Sequence, residues 1–322
     1  MGSNILVLSL LLFGVTTYAA QHEWGYHGES GPDHWSAASG ICELNKQSPI
    51  NIEKKKAKMN SQLGKISFMG YDRPLQGATI KNNGHTAQLD IKGDERPTIK
   101  AGGLGNMYKF LQLHFHWGKS DDRGSEHTVN GKRYPLEMHL VHYNSKYDPS
   151  DAINHNDGLA VLGVLFTVSD DDNPNFSTII DKLSNIQYKD SKVNLDKELK
   201  LESLLPNTFP YFRYSGSLTT PPCSEVVTWT VFADTVHISR SQLEQFRNMK
   251  EGMANKDSMS LVDNFRPIQA LNQRSVQIAT ESGRHDDKHG GSNKDNNAGP
   301  YHFPSLLATI VTCSVTLLYT LK

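Results

Sequence analysis

Neither sign of charge is in excess in this 322-residue chain: 33 Lys and Arg stand against 34 Asp and Glu, a formal net of -1 at pH 7. Nucleic-acid binders normally present a clustered basic face, so nucleic acid is not the expected partner. Cysteine is scarce as well, with only Cys42, Cys223 and Cys313. Between about Gln21 and Glu281 there is no internal repeat, no heptad run and no low-complexity linker. That absence leaves one domain as the simpler reading, and a hydrophobic content of 37% is enough to bury a sizeable core.

Long apolar runs occur at the two ends. Ile5 to Val15 is almost unbroken and is followed by the small residues Ala19 and Ala20, as in a secretory signal peptide over residues 1–20, although no Lys or Arg precedes it. Myristoylation at Gly2 is ruled out, because Leu6 stands where Ser or Thr is needed. Phe303 to Leu321 is apolar and follows a polar stretch from Ser282 to Pro300. A spanning helix needs about twenty apolar residues and a basic stop, whereas a glycosylphosphatidylinositol (GPI) signal needs small residues, a polar spacer and such a tail. The lipid anchor is favoured, with Ser292-Asn293 or Asn297-Ala298-Gly299 as attachment site. The expected organisation is a domain over 21–281, a linker over 282–300 and a removed tail over 301–322, at the extracellular face of the membrane. Anchoring removes Cys313. In an oxidising compartment Cys42 and Cys223 are then expected to pair, closing a long loop and stabilising by about 2–4 kcal/mol. Asn175-Phe176-Ser177 is a glycosylation sequon.

Short stretches with period-two alternation dominate the middle of the chain. Tyr108–Trp117, Leu136–Tyr143, Leu159–Val168 and Val226–Phe232 read as strands. The better helix candidates are Ser239–Lys250 and Phe176–Asn185, with Ser or Thr near their starts as caps. Asn130-Gly131, flanked by Glu126–Val129 and Lys132–Val141, predicts a hairpin, because Asn and Gly accept the positive φ of a tight turn. An antiparallel sheet core follows.

On a strand over Tyr108–Trp117, Gln112, His114 and His116 share one face while Leu111, Leu113, Phe115 and Trp117 share the other. On Leu136–Tyr143 the same alternation groups Glu137, His139 and Val141 against Leu136, Met138 and Leu140. If these strands are neighbours, three imidazoles converge. Three neutral imidazoles leave a tetrahedral zinc one open position, the mark of a catalytic site. Gln112 and Glu137, two residues before His114 and His139 on the same faces, are placed to hold their outer ring nitrogens. A lone His-x-His also suits a polar sheet face or a cupin-type oxygenase site, so the dyad alone does not choose.

The wider context chooses. Gln112-Leu113-His114-Phe115-His116-Trp117-Gly118, Gly124-Ser125-Glu126-His127-Thr128-Val129, Glu137-Met138-His139-Leu140-Val141-His142 and Ser217-Leu218-Thr219-Thr220-Pro221-Pro222 resemble successive signatures of the α-class carbonic anhydrases, of the secreted or GPI-anchored kind. The resemblance extends from Trp24-Gly25-Tyr26 through Gln47-Ser48-Pro49-Ile50-Asn51 and Asn82-Asn83-Gly84-His85 to Asn264-Phe265-Arg266-Pro267. It implies a mixed α/β, sheet-dominated single domain with a large, mostly antiparallel twisted sheet and few surface helices. It also implies His114, His116 and His139 as ligands of Zn2+, with the Asn264 carbonyl holding His116. Reversible hydration of carbon dioxide to bicarbonate and a proton would proceed by a zinc-bound hydroxide. Thr219 would orient that hydroxide and donate its own proton to Glu126. His85 would relay protons to solvent, with Tyr26 ordering the intervening water. Val141, Val161, Leu218, Thr220 and Trp229 would wall the carbon dioxide pocket, and Thr86 and Gln88 match rim positions where family members differ. The alternative is a catalytically silent binding module of the same fold, though such relatives typically lack a zinc histidine.

Overall fold

Alternating side chains divide the molecule into two apolar layers separated by a sheet. The computed structural model describes residues 23–254 and 256–280. The expected signal peptide, linker, removed tail and Cys313 lie outside these residues. No helix among the described residues is long and apolar enough to cross a membrane.

Eight strands suffice to place the site: β1 (Thr79–Asn82), β2 (Ala87–Asp90), β3 (Tyr108–Trp117), β4 (Leu136–Asn144), β5 (Leu159–Ser169), β6 (Tyr211–Gly216), β7 (Val227–Phe232) and β8 (Gln277–Ala279). They run side by side in the order β1-β2-β3-β4-β5-β7-β6-β8, flanked by Lys192–Asn194 and Lys58–Met59, within a sheet of 13 strands. Pairing is antiparallel at most joints and parallel between β5 and β7. This is the sheet-dominated architecture expected from the sequence.

On β5, Ala160, Leu162, Val164 and Phe166 join the larger apolar cluster, while Leu159, Val161 and Leu165 join the smaller. β4 divides the same way, with Leu136, Met138 and Leu140 in the larger cluster and Val141 and Tyr143 in the smaller. The expected grouping on β3 needs one correction. The register skips from Phe110↔His142 to Gln112↔Val141, so Leu111 is an extra, bulged residue. Leu111 packs with the smaller cluster, whereas Phe110, Leu113, Phe115 and Trp117 fill the larger.

Helices are few and short. α1 is a single turn over Trp35–Ala38. α2 spans Ser177–Leu183, with 3-10 turns at Pro174–Phe176 and Ser184–Ile186 taking up the ends of the expected helix. α3 spans Arg240–Arg247, and Ser239 caps it in a reciprocal exchange with Gln242. It stops short of Lys250 because that residue turns away to donate its N–H to Gln187 O and to bridge Ser260.

The expected hairpin forms only at its tip. Asn130 and Gly131 take positive φ of 50° and 79°, and Val129 bridges Lys132. Beyond that, Thr128–Val129 pairs in parallel with Asn51–Ile52, and β4 joins β3 instead. Asn130 Oδ1 accepts from Lys54 N at 2.9 Å, so the turn is anchored to another segment.

Cys42 and Cys223 are disulfide-bonded across 181 residues of sequence, beside Trp35 and the partly buried Trp24 and Tyr26. Replacing both cysteines by Ser is expected to lower stability by about 2–5 kcal/mol. Equilibrium unfolding in guanidinium chloride measures this, and a negligible loss would show that packing alone holds the segment.

Candidate metal centre

The pairing of β3 with β4 sets His114 directly opposite His139, and His116 opposite Glu137. Cross-strand neighbours on one face are close, so the imidazoles meet. Ring centroids are 5.0 Å apart for His114–His116, 5.2 Å for His114–His139 and 4.6 Å for His116–His139. One ring nitrogen from each lies within 4.8 Å of the others.

The outer nitrogen of each ring is held by an acceptor. His114 Nδ1 donates to Gln112 Oε1 at 2.9 Å, His116 Nδ1 to Asn264 O at 2.8 Å, and His139 Nε2 to Glu137 Oε1 at 2.7 Å. A neutral imidazole has one N–H, so these bonds turn a lone pair inward on His114 Nε2, His116 Nε2 and His139 Nδ1. Burial lowers the pKa of His114 and His116, His114 well below the ordinary value, where the neighbouring histidines add to the effect. Both are therefore neutral at pH 7.

His116 Nε2 and His139 Nδ1 stand only 3.1 Å apart with no proton left to share. Glu126, fully buried, aims Oε2 at the same spot, 3.5 Å from His116 Nε2 and 3.9 Å from His139 Nδ1. That oxygen has no hydrogen-bond partner. Inward lone pairs and an orphaned carboxylate oxygen repel one another in a dry interior. A cation between them relieves the repulsion, so the donor set fits a three-histidine zinc site.

Glu137 serves two rings. Its Oε1 also takes His127 Nδ1 at 2.7 Å, its Oε2 takes His127 N at 2.8 Å, and His127 Nε2 meets Tyr214 Oη at 2.6 Å. Burial pushes the Glu137 carboxyl upward, but His127 and His139 outweigh it and hold the net pKa well below the usual range. His127, Glu137 and His139 also cluster tightly. Their nitrogens are already spoken for, which makes them a hydrogen-bonded chain rather than a second open donor set. Gly163, opposite His139, leaves room for this carboxylate: a Cβ there would sit 3.3 Å from Glu137 Oε1.

Asn264 ties the surrounding elements together. Beyond its carbonyl, Oδ1 accepts from Trp117 N at 2.7 Å, and Nδ2 donates to His85 O at 2.9 Å and Phe115 O at 3.2 Å.

A cavity of about 320 Å³ opens beside the rings, lined by His114, His139, Val141, Val161, Leu218, Thr219, Thr220 and Trp229. All five expected wall residues are present. The reading of the sequence missed Leu111, Ile153 and Leu159 in the same wall, and gave no role to His127 or Tyr214. Leu111 is there because of the bulge, which alternation does not reveal. His127 lies within the Gly124–Val129 motif, but its partner Tyr214 is 87 residues away on β6.

One expected hydrogen bond is not formed. Glu126 Oε1 accepts from Arg266 N at 2.9 Å, and since Oε2 has no partner, no Thr219 hydroxyl bond reaches it. The oxygen is turned toward the ring nitrogens instead. His85 lines a different cavity, of about 460 Å³, with Glu23, Trp24 and Lys189, and stacks on Trp24 at 3.9 Å between centroids. Tyr26 packs edge-on to Trp24 and Trp35. Burial, and then the Glu126 charge, raise its pKa well above the usual value. Thr86 is no rim residue: it is buried and its Oγ1 bridges Phe115 N and O. Gln88 lies opposite His114 and bonds Asp90 and Asn83. Asn175 is exposed on a 3-10 turn.

A family model described as eukaryotic-type carbonic anhydrase matches residues 30–280. Carbonic anhydrase 7 of Mus musculus is 39% identical over 264 residues, covering 81% of this chain and 98% of that protein. Carbonic anhydrase 15 of Mus musculus is 39% identical over 289 residues, covering 85% and 89%. Carbonic anhydrase 1 of Mus musculus is 40% identical over 266 residues, covering 81% and 99%.

Removing the Glu137 acceptor frees the outer N–H groups of His139 and His127 together. Glu137→Ala is therefore expected to weaken zinc affinity by about 10–100-fold. Competition with a chromophoric chelator reads this directly, and unchanged affinity would show that the carboxylate does not orient His139.

Proposed function

The chain belongs to the eukaryotic-type carbonic anhydrase family, and we propose that it catalyses reversible hydration of carbon dioxide at a zinc ion held by His114, His116 and His139. The observation that carries this reading is the convergence of three inward lone pairs on one point beside an apolar cavity. When bound, zinc supplies the Lewis acidity that brings ionisation of water into the neutral range, as is established for carbonic anhydrases generally.

The residues of the chain do the rest. Gln112, Asn264 and Glu137 fix the tautomers of the three rings. Val141, Val161, Leu218 and Trp229 offer carbon dioxide, which has no charge and no donor, a small apolar wall from which competing water is excluded. Thr219, on the rim of that wall, would accept a hydrogen bond from the attacking oxygen and so aim its lone pair at carbon. Glu126 Oε2, still without a donor, is the acceptor to which the Thr219 hydroxyl would donate a hydrogen bond once it turns that way.

The reaction releases a proton that has to reach solvent. His85 is the relay in this reading, in its stacked position on Trp24 at a second opening. Burial, followed by the positive charge of Lys189, lowers its pKa. Its imidazole is therefore neutral and ready to accept at pH 7.

We further propose an extracellular, GPI-anchored protein: a signal peptide over 1–20, the catalytic domain over 21–281, a linker over 282–300 and a removed signal over 301–322, with Asn175 glycosylated. The Cys42–Cys223 disulfide supports an oxidising compartment. Phosphatidylinositol-specific phospholipase is expected to release the protein from cells, and retention on the membrane would rule out the lipid anchor.

Stopped-flow measurement of proton release, with zinc content determined on the same sample, tests the reaction. Wild-type protein is expected to hold one zinc and hydrate carbon dioxide rapidly. His114→Ala should lose both, by more than the roughly 10–100-fold expected for an outer-layer residue. His85→Ala should slow turnover by about 10²-fold in weak buffer and recover in strong buffer. Stoichiometric zinc without hydration would refute the proposal in favour of a binding module.

A further inference from the structure

A cavity of about 540 Å³ lies at the edge of the sheet, bounded by β6, β7, β8 and the segments 60–63 and 273–277. Two guanidinium groups line it, those of Arg213 and Arg274, and no carboxylate among the described residues does. Strand alternation sets Arg213 and Ser215 on one face of β6, in register with Thr230 and Thr228 of β7.

Arg213 is only 6% exposed, yet its hydrogen bonds go to neutral acceptors. Nε and Nη2 reach Thr230 Oγ1 at 3.2 and 3.0 Å, and Nη1 reaches Gly102 O at 2.8 Å. Arg274 likewise gives Nε to Leu271 O, Nη1 to Ser215 O and Nη2 to Ala270 O. A guanidinium carries five N–H donors, so each arginine keeps two beyond these bonds. The arginines that do pair with acids among the described residues are Arg123, Arg240 and Arg247. Glu225, whose charge reaches Arg274, is itself engaged by Lys46 N and Gln47 Nε2.

Two cations around a roomy polar cavity, one of them deeply buried and neither held in a direct salt bridge among the described residues, call for a counter-charge from solution. We propose that this cavity is an oxyanion-binding site, recognising a carboxylate- or phosphate-type group through the forked N–H groups of Arg213 and Arg274. Bicarbonate and inorganic phosphate share that chemistry. The site is separate from the histidines, since none of the residues lining it belongs to the clustered imidazoles.

Thermal unfolding of the full-length, zinc-loaded protein tests the site with bicarbonate and with phosphate as separate probes. At about ten times the half-saturating concentration, the midpoint is expected to rise by roughly 3–6 °C. Thr228→Glu sets a carboxylate diagonally across from Arg213, and Arg274→Gln removes one fork. Each should abolish the anion-dependent rise while leaving zinc content and carbon dioxide hydration unchanged. A response to both anions supports a general oxyanion site, and a response to one of them assigns the site to that anion. No rise in the wild type, or a rise of equal size in the variants, overturns the proposal, since the anion would then be absent or bound at the histidines. Should Arg274→Gln unfold through loss of its three carbonyl contacts, Thr228→Glu keeps the test intact.

Discussion

Where three N–H protons point determines what the centre of this protein can do. An imidazole that donates outward has its lone pair inward, and Gln112, Asn264 and Glu137 impose that choice on His114, His116 and His139. Strand pairing alone brings the rings together without deciding which nitrogen faces the centre. The acceptors come from three sources: a side chain two residues away on β3, a side chain two residues away on β4, and a backbone carbonyl about 150 residues further along the chain. Because Asn264 also fixes Trp117 N and the carbonyls of His85 and Phe115, the same residue that sets one tautomer holds the end of β3 in place.

Such a centre is expensive in a dry interior. Glu126 and Glu137 are both fully buried, and an ionised carboxylate removed from water costs several kcal/mol unless it is bonded or paired. Glu137 meets that cost with three donors: two imidazole N–H groups and the His127 backbone N–H. Glu126 meets half of it, with Arg266 N on one oxygen and nothing on the other. The contrast marks their different tasks. The satisfied carboxylate is a rigid support, and the unsatisfied one is poised for a charge or a proton.

Much of this was legible in the residues. Period two on Tyr108–Trp117 and Leu136–Tyr143 placed the three histidines and two of their acceptors, since side-chain alternation needs no tertiary information. The Asn264 carbonyl and the apolar wall were reached only through family resemblance, because their partners are remote in sequence. What escaped both routes was local irregularity and remote packing. The Asn130-Gly131 turn has the expected φ angles, yet its hairpin was overridden by parallel pairing with Asn51–Ile52, a contact no short window contains. The chain from Glu137 through His127 to Tyr214 joins β4 to β6 through a residue outside the strands, with His127 and Tyr214 87 residues apart, and was invisible for the same reason.

The bulge at Leu111 absorbs an extra residue without passing a change of phase down the strand. Upstream of it Phe110 faces the large core, and downstream Leu113, Phe115 and Trp117 face that same core although the count of residues between Phe110 and Leu113 has become even. Were all ten residues of β3 paired in plain alternation, with no bulge, Gln112, His114 and His116 would share the face of Phe110 and turn into the hydrocarbon layer. The bulge acts as a compensating change acts on a shifted reading frame: it keeps the second half of the strand in step with the first. Packing of the large core and the outward turn of the three polar side chains thus hang on one local departure from regular pairing.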